Sequence, residues 1–357
     1  MNELTIGLLG ALLATNQPLA VSNVLQQQAG VTVDIAANPA ERELREVMLA
    51  DDNAQDEVNG WLRDFDSQSS TNKVAAATAL NQRIKARFDR VRSAYENFIR
   101  NHPDNAHACL AYGSFLNDIG DEESAHLQYE NSKQLDPKNP AVWNNLANYY
   151  GEFGSPTKAF EYYAQAIKLK PDEPVYYQNF GTTVYLFRKD AKEFYHLDEQ
   201  GVFDKALALY RQGMQLAPDN FVLATDYAES FYGIKPMRTN DALAAWTNAM
   251  NVAHTDAERQ GVELHLARVK TYAGFFCEAS NHLAAVTNEA FLGMKKQLLR
   301  SLANHEHLAT NAAPDLATHL LQAIPELAAP AFNATNVTDV PPQLLLAPPP
   351  LREQKPQ

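Results

Sequence analysis

The sequence predicts an all-α fold built as an α-solenoid, a row of helix-turn-helix repeats closed at both ends by helical caps. Three observations carry this expectation. Residue classes recur at a 34-residue spacing from Ala106 to Pro140 to Pro174. Within each unit the apolar residues fall at helical spacing. Small residues, followed by a proline, return at fixed places in the unit. A period of this length marks a repeat array, in which each unit buries its apolar face only against its neighbours.

Residues 1–37 read as a hydrophobic leader and linker. The apolar stretch Ile6 to Ala14 is far shorter than the roughly 20 residues a helix needs to cross a bilayer. Two readings stand for it. One is a secretory signal, with Ala20 before a cut, although Glu3 and the absence of Lys or Arg make its start atypical. The other is a short leader that packs against its own protein or a partner. Cytoplasmic and exported locations are therefore both open.

Residues 38–105 read as an N-terminal helical cap. Glu43, Leu44, Val47, Met48, Val58 and Trp61 predict two short amphipathic helices between Ala40 and Phe65. A further helix is expected to start near Lys73, and Val91, Tyr95, Phe98 and Pro103 give it the spacing of a repeat's second helix.

The array itself is expected over 106–290, in units of 106–139, 140–173, 174–220, 221–259 and 260–290. The second unit shows the pattern in full: Trp143, Leu146, Ala147 and Tyr150, then Gly154, Ala159, Tyr163, Ala166 and Pro171. Ala147 and Ala159 belong where the two helices cross, since only a small side chain lets the axes approach closely. Trp143, Leu146 and Tyr150 share one face, and Tyr163 closes the wedge from the second helix. Gly154 serves the tight turn, and Pro171 stops the second helix because it lacks an amide donor. The first unit keeps Gly113, Gly120, Ala125, Tyr129 and Pro137; the third keeps Tyr177, Phe180, Gly181, Ala206, Tyr210, Gly213 and Pro218. The fourth has Tyr227, Ala228, Phe231, Ala242, Trp246 and Ala249, and the weaker fifth has Leu266, Ala267, Gly274, Ala279 and Leu283. Between the halves of the third unit, Lys189 to Gly201 is an insertion, expected to lengthen the first helix and add a projecting loop.

Residues 291–324 predict C-terminal capping helices, starting with the amphipathic run from Phe291. Residues 325–357 carry Pro330, Pro341, Pro342, Pro348, Pro349, Pro350 and Pro356 and read as a disordered, Pro-rich tail. Its LLLAPPPL stretch, Leu344 to Leu351, has the composition of a docking motif for an aromatic groove or of a plain linker end. Asn333 and Asn336 each open an N-x-T sequon.

The series from Trp143 to Pro171 reproduces the tetratricopeptide pattern W-x2-L-G-x2-Y…A-x3-F…P, and the chain from about His102 to Val286 resembles that family. The resemblance implies a right-handed superhelix that binds other proteins, with the first helix of each repeat lining a concave groove.

Composition narrows the function. With 30 basic against 43 acidic residues, the net charge is −13, and no basic run offers a face to nucleic acid or anionic lipid. Cys109 and Cys277 match no metal or redox spacing and read as buried thiols. There is no phosphate loop, GxSxG elbow, HExxH or CxxC. His305 and His307 point to different helix faces and cannot share a metal. No enzyme, cofactor or metal centre is expected. His265 and Arg268 share a helix face that could bind an anion or serve structure alone.

The remaining candidate site is the groove. Its sixth positions read Ala111, Asn145, Asn179, Asp226 and His265, and its ninth positions Ser114, Asn148, Thr182, Glu229 and Arg268. The fifth adds Leu110, Asn144, Gln178 and Thr225. An amide offers both donor and acceptor to the peptide bonds of an extended chain. Asn145 and Asn179 resemble the asparagine ladder of O-linked N-acetylglucosamine transferases, although the ladder stops after two rungs at Asp226. The carboxylate clamp of chaperone-binding members needs Lys or Arg here, which this chain lacks. The expectation is therefore a non-catalytic adaptor that grips a neutral or basic peptide of a partner protein through Asn144, Asn145, Asn148, Gln178, Asn179, Thr182, Tyr185, Asp226 and Glu229. The alternative is a structural subunit that assembles through its convex face, the 189–201 insertion and its termini.

Overall fold

A computed structural model of the chain describes residues 39–67 and 73–311. The leader, the Pro-rich tail, the sequons and residues 312–324 of the capping segment lie outside the described residues. Among those described, the regular structure is entirely helical. The chain divides into two compact units, one ending at Pro171 and one beginning at Asp172.

The first unit holds α1 (Pro39–Ser67), α2 (Lys73–Asn101), α3 (Ala106–Asp118), α4 (Glu122–Leu135), α5 (Pro140–Phe153) and α6 (Pro156–Leu169). Connections of a few residues fold α3 against α4 and α5 against α6 as hairpins. Each turn has a local cause. Gly120 adopts φ 78 and Gly154 φ 155, in backbone space that side chains avoid. Asn105 and Asn139 cap the following helices, accepting from the amides of Ala108 and Ala141 at 2.8 and 3.0 Å. The core runs from Leu44, Tyr95 and Phe98 through Ala108 and Phe115 to Val142 and Leu146.

The cap corrects one expectation: Ala40 to Phe65 is part of the single helix α1, not two short ones. The buried stripe passes through the polar run from Asp51. Leu44, Asp51, Ala54 and Val58 are all buried and fall at helical spacing. Asp51 fills one core slot, where its Oδ2 accepts from the Tyr95 hydroxyl at 3.1 Å.

The second unit holds α7 (Pro174–Leu186), α8 (Arg188–Tyr195), α9 (Glu199–Leu216), α10 (Phe221–Glu229) with a 3-10 turn over Ser230–Gly233, α11 (Thr239–Asn251), α12 (Asp256–Tyr272), α13 (Phe276–Ala285) and α14 (Leu292–Asn311). Helix pairs α7/α9, α10/α11 and α12/α13 pack face to face. The insertion neither lengthens α7 nor projects as a loop. It forms α8, whose Ala191 and Tyr195 are buried, and the first turn of α9. Lys205 of α9 sits 3.9 Å above the Tyr195 ring, so an amphipathic insertion has gained a face of its own to bury. The fifth pair also starts earlier than 260: Thr255 and Glu258 form a capping box ahead of α12. α14 closes the unit by setting Leu302 among Leu264, Ala267, Ala279 and Leu283. Of the two cysteines, Cys109 is buried as expected, but Cys277, near the start of α13, is exposed.

Candidate functional site

In the first unit the candidate residues lie on α3 and α5. The second-helix tyrosine of each repeat is buried in the wedge, Tyr129 at 4% and Tyr163 at 2% exposure, and a buried phenol needs a polar partner. Position nine of the first helix supplies it. Tyr163 donates to Asn148 Oδ1 at 2.6 Å, and the Tyr129 hydroxyl faces Ser114 and Asn145, with burial pushing its pKa upward. In the second unit the Tyr210 hydroxyl and Thr182 Oγ1 are 2.8 Å apart. Ser114, Asn148 and Thr182 are thus claimed by the interior of their own repeats.

Two further candidates are buried. Asn144 is 1% exposed and donates through its amide to Asn145 Oδ1 at 3.2 Å. Tyr185 is 8% exposed; the Arg188 guanidinium lies 5.2 Å from its ring, and a Cβ on Gly233 would collide with its hydroxyl. Asn145 is buried to the same degree, at 8% exposure.

The second unit brings the remaining candidates together. Gln178 of α7 donates to Asp226 of α10 at 2.6 Å, a bond directly between first helices of successive repeats. Asn179 is half-buried next to Gln178. One turn beyond Asp226, Glu229 Oε1 lies 4.0 Å from His265 Nε2 on α12. The strip therefore runs over three first helices and is acidic. Burial, then the charge of Asp226, pushes Glu229 up to about 7, against the pull of Arg268. Burial also raises Asp226, with the Gln178 hydrogen bond opposing it.

Beside these carboxylates the repeat pattern fails. The fourth repeat carries Trp246 in place of the wedge tyrosine, and the His265 ring stacks on it, centroids 4.0 Å apart at 11°. His265 Nδ1 lies 3.1 Å from the Tyr232 hydroxyl, and Arg268 sits 4.4 Å over the Tyr232 ring. Burial and the neighbouring Arg268 drop the His265 pKa to about 3, which keeps the imidazole neutral near pH 7. Sequence reasoning pairs His265 with Arg268 but passes over Tyr232, which orders both. The one signal for it is an aromatic residue a turn after Glu229.

Among the described residues no group of three or more His, Cys, Asp or Glu side chains could hold a metal ion, and no helix is long and apolar enough to cross a membrane.

The tetratricopeptide-repeat family model matches residues 140–173. No curated protein sequence matches the chain. Among solved structures, MamA is similar at 19% identity over 52% of this chain and 95% of its own, with a TM-score of 0.39. PilF of Pseudomonas aeruginosa is similar at 13% identity over 71% of this chain and 99% of its own, with a TM-score of 0.45. PilW, described as a type IV pilus biogenesis factor, is similar at 13% identity over 63% and 99%, with a TM-score of 0.47.

Proposed function

We propose, from the premise that the chain is a tetratricopeptide-repeat protein, that it is a non-catalytic adaptor holding an extended segment of a partner protein along the first helices of its repeats. The observation that supports this most is the Gln178 to Asp226 bond at 2.6 Å, continued by the approach of Glu229 to His265. Together they give three successive first helices one polar strip.

The chemistry of the strip favours binding. Two carboxylates partly stripped of water gain from a cation or from backbone amides, both of which a neutral or basic peptide brings. His265 takes up a proton only near pH 3, and the groups around Glu229 are Asp226, His265 and Arg268.

Affinity capture of partners by the full chain tests the reading. Asp226→Asn with Glu229→Gln, and separately Asn145→Ala with Asn179→Ala, should each reduce recovery of a partner that wild type retains. Unchanged recovery by both, with the helical signal intact, would sink the groove reading. Loss on changing the exposed Lys192 and Glu193 of the insertion to alanine would point instead to assembly through α8.

A further inference from the structure

Within the first unit, α2 is basic in a protein whose net charge is −13. It carries seven Lys and Arg residues against one Asp and one Glu. No run marks them in the sequence, because the helix gathers them: Arg83, Arg87 and Arg90 recur at steps of four and three residues, which puts them on one face. That face runs beside α1, and Arg87 is anchored to it. Its Nε donates to Glu57 Oε2 at 3.1 Å, and its Nη2 donates to Glu57 Oε1 at 3.3 Å and to the Ala50 carbonyl at 3.5 Å.

The other two arginines keep their donors. Arg83 lies 3.7 Å over the ring of Trp61 on α1, a stacking that fixes the plane of the guanidinium and takes up none of its N–H groups. Arg83 and Arg90 are both exposed, and neither makes a hydrogen bond or ion pair among the described residues. One carboxylate therefore stands against three guanidinium groups. The Arg87 hydrogen bond, then the charges of Arg87, Arg83 and Arg90, hold Glu57 below its usual range. The remaining cations are spent outside this face: Lys85 on Asp89 at 2.7 Å, Arg92 on Asp121 at 2.9 Å, and Arg100 on Asn97 at 2.9 Å.

A guanidinium held flat by an indole, with its donors unengaged, is a fork of matching geometry for a carboxylate. Arg83 and Arg90 stand two turns apart, about 10 Å along α2. In a polyproline-like segment, side chains three residues apart face the same way about 9 Å apart, so two acidic residues of one segment can reach both forks. A long phosphate backbone is a poorer match, because the protein as a whole repels it. We propose that the face formed by Arg83, Arg87, Arg90 and Trp61 docks an acidic segment of a partner protein, whose carboxylates are taken by Arg83 and Arg90. This inference rests on none of the residues of the polar strip.

Fluorescence anisotropy of a fluorescein-labelled octaglutamate peptide, titrated with the full chain at low ionic strength, tests it. Saturable binding is expected, weakened about tenfold in Arg83→Ala/Arg90→Ala. It should also weaken in Arg83→Lys/Arg90→Lys, which keeps both charges and removes the forks. Lys85→Ala/Arg100→Ala deletes two exposed cations of the same helix from outside the face and should leave the affinity in place. The substituted side chains are exposed, so circular dichroism should match in all variants. The proposal is overturned if wild type shows no saturable binding, if the two alanine pairs lose affinity equally, or if the lysine pair binds as wild type does. An oligothymidylate of matching charge that binds as tightly would also overturn it, assigning the face to nucleic acid.

Discussion

The hydroxyl of Tyr163 on α6 donates to Oδ1 of Asn148 on α5 at 2.6 Å, across the wedge of one helix pair. Tyr163 is 2% exposed, so the bond is formed inside the wedge. Asn148→Ala should therefore cost about 0.5–1.5 kcal/mol, the net worth of one hydrogen bond. Tyr163→Phe on the Asn148→Ala background should add less than it costs in wild type, because the bond that both changes remove is already gone. Urea unfolding of the two single variants and the double variant measures it. Additive losses would mean that the bond does not hold the wedge.

Glu229 gives the second unit a pH dependence of definite sign. Its folded pKa is raised from 4.5 to about 7, so the folded state binds the proton more tightly. The stabilisation this group contributes is full below about 4.5 and is lost as pH rises through 7. Glu229→Gln should remove that loss, making the variant more stable than wild type above pH 7 and similar to it near pH 4.5. His265 acts oppositely. Its pKa is lowered to about 3, so its contribution is present above the ordinary histidine range and falls away as pH drops from about 6.5 toward 3. Melting temperatures of wild type, Glu229→Gln and His265→Gln between pH 4.5 and 8 separate the two. A Glu229→Gln profile parallel to wild type would refute the assignment.

Asp51 plays the same role in the cap. It is 4% exposed, and burial raises its pKa from 3.8 to about 7, with the Tyr95 and Gln55 hydrogen bonds opposing the rise and Asp118 and Asp52 adding to it. The grip of α1 is full at low pH and weakens as pH rises through 7. Asp51→Asn keeps an acceptor for Tyr95 without the charge. It should slow amide exchange along α1 at pH 8 relative to wild type, and make little difference at pH 4. Hydrogen exchange read by mass spectrometry decides the matter, with equal protection at pH 8 counting against it.

The helix pairs were legible because Ala147, Ala159 and Ala166 occupy crossing points, all of them 0% exposed, where sterics permit little else. The ninth position was not legible. Asn148 reads as groove polarity until its partner Tyr163 is seen, and Thr182 meets a tyrosine 28 residues away, across the insertion. Nothing local marks such a pair, because a polar residue on a first helix satisfies both a solvated and a bonded reading. The single helix α1 is harder to see for a related reason, since Asp51 puts a carboxylate in one core slot of the apolar stripe. The recurring cap was legible but passed over: Asn105, Asn139 and Asn220 each precede a first helix and accept from its amides. Within the candidate site, Asp226 and Glu229 could be placed by repeat position, whereas their meeting with Gln178 and His265 depends on how neighbouring first helices stack.

Two glycines separate the close approach that the fold requires from glycine that it merely tolerates. A Cβ on Gly113 would come 2.6 Å from Tyr129 Cε1 and 3.3 Å from the Ala125 carbonyl oxygen. Tyr129 cannot retreat, being 4% exposed and packed in the wedge. Gly113→Ala should therefore destabilise by about 1–3 kcal/mol through overpacking. Gly60 lies inside α1 with nothing within 4 Å of the added atom. Gly60→Ala should stabilise by about 0.5–1 kcal/mol, since alanine loses less backbone freedom in a helix. Denaturant melts of the two variants should thus move in opposite directions from wild type. A neutral Gly113→Ala would mean that α3 and α4 have room to separate, and would remove the small residue at the crossing as the feature that sets their approach.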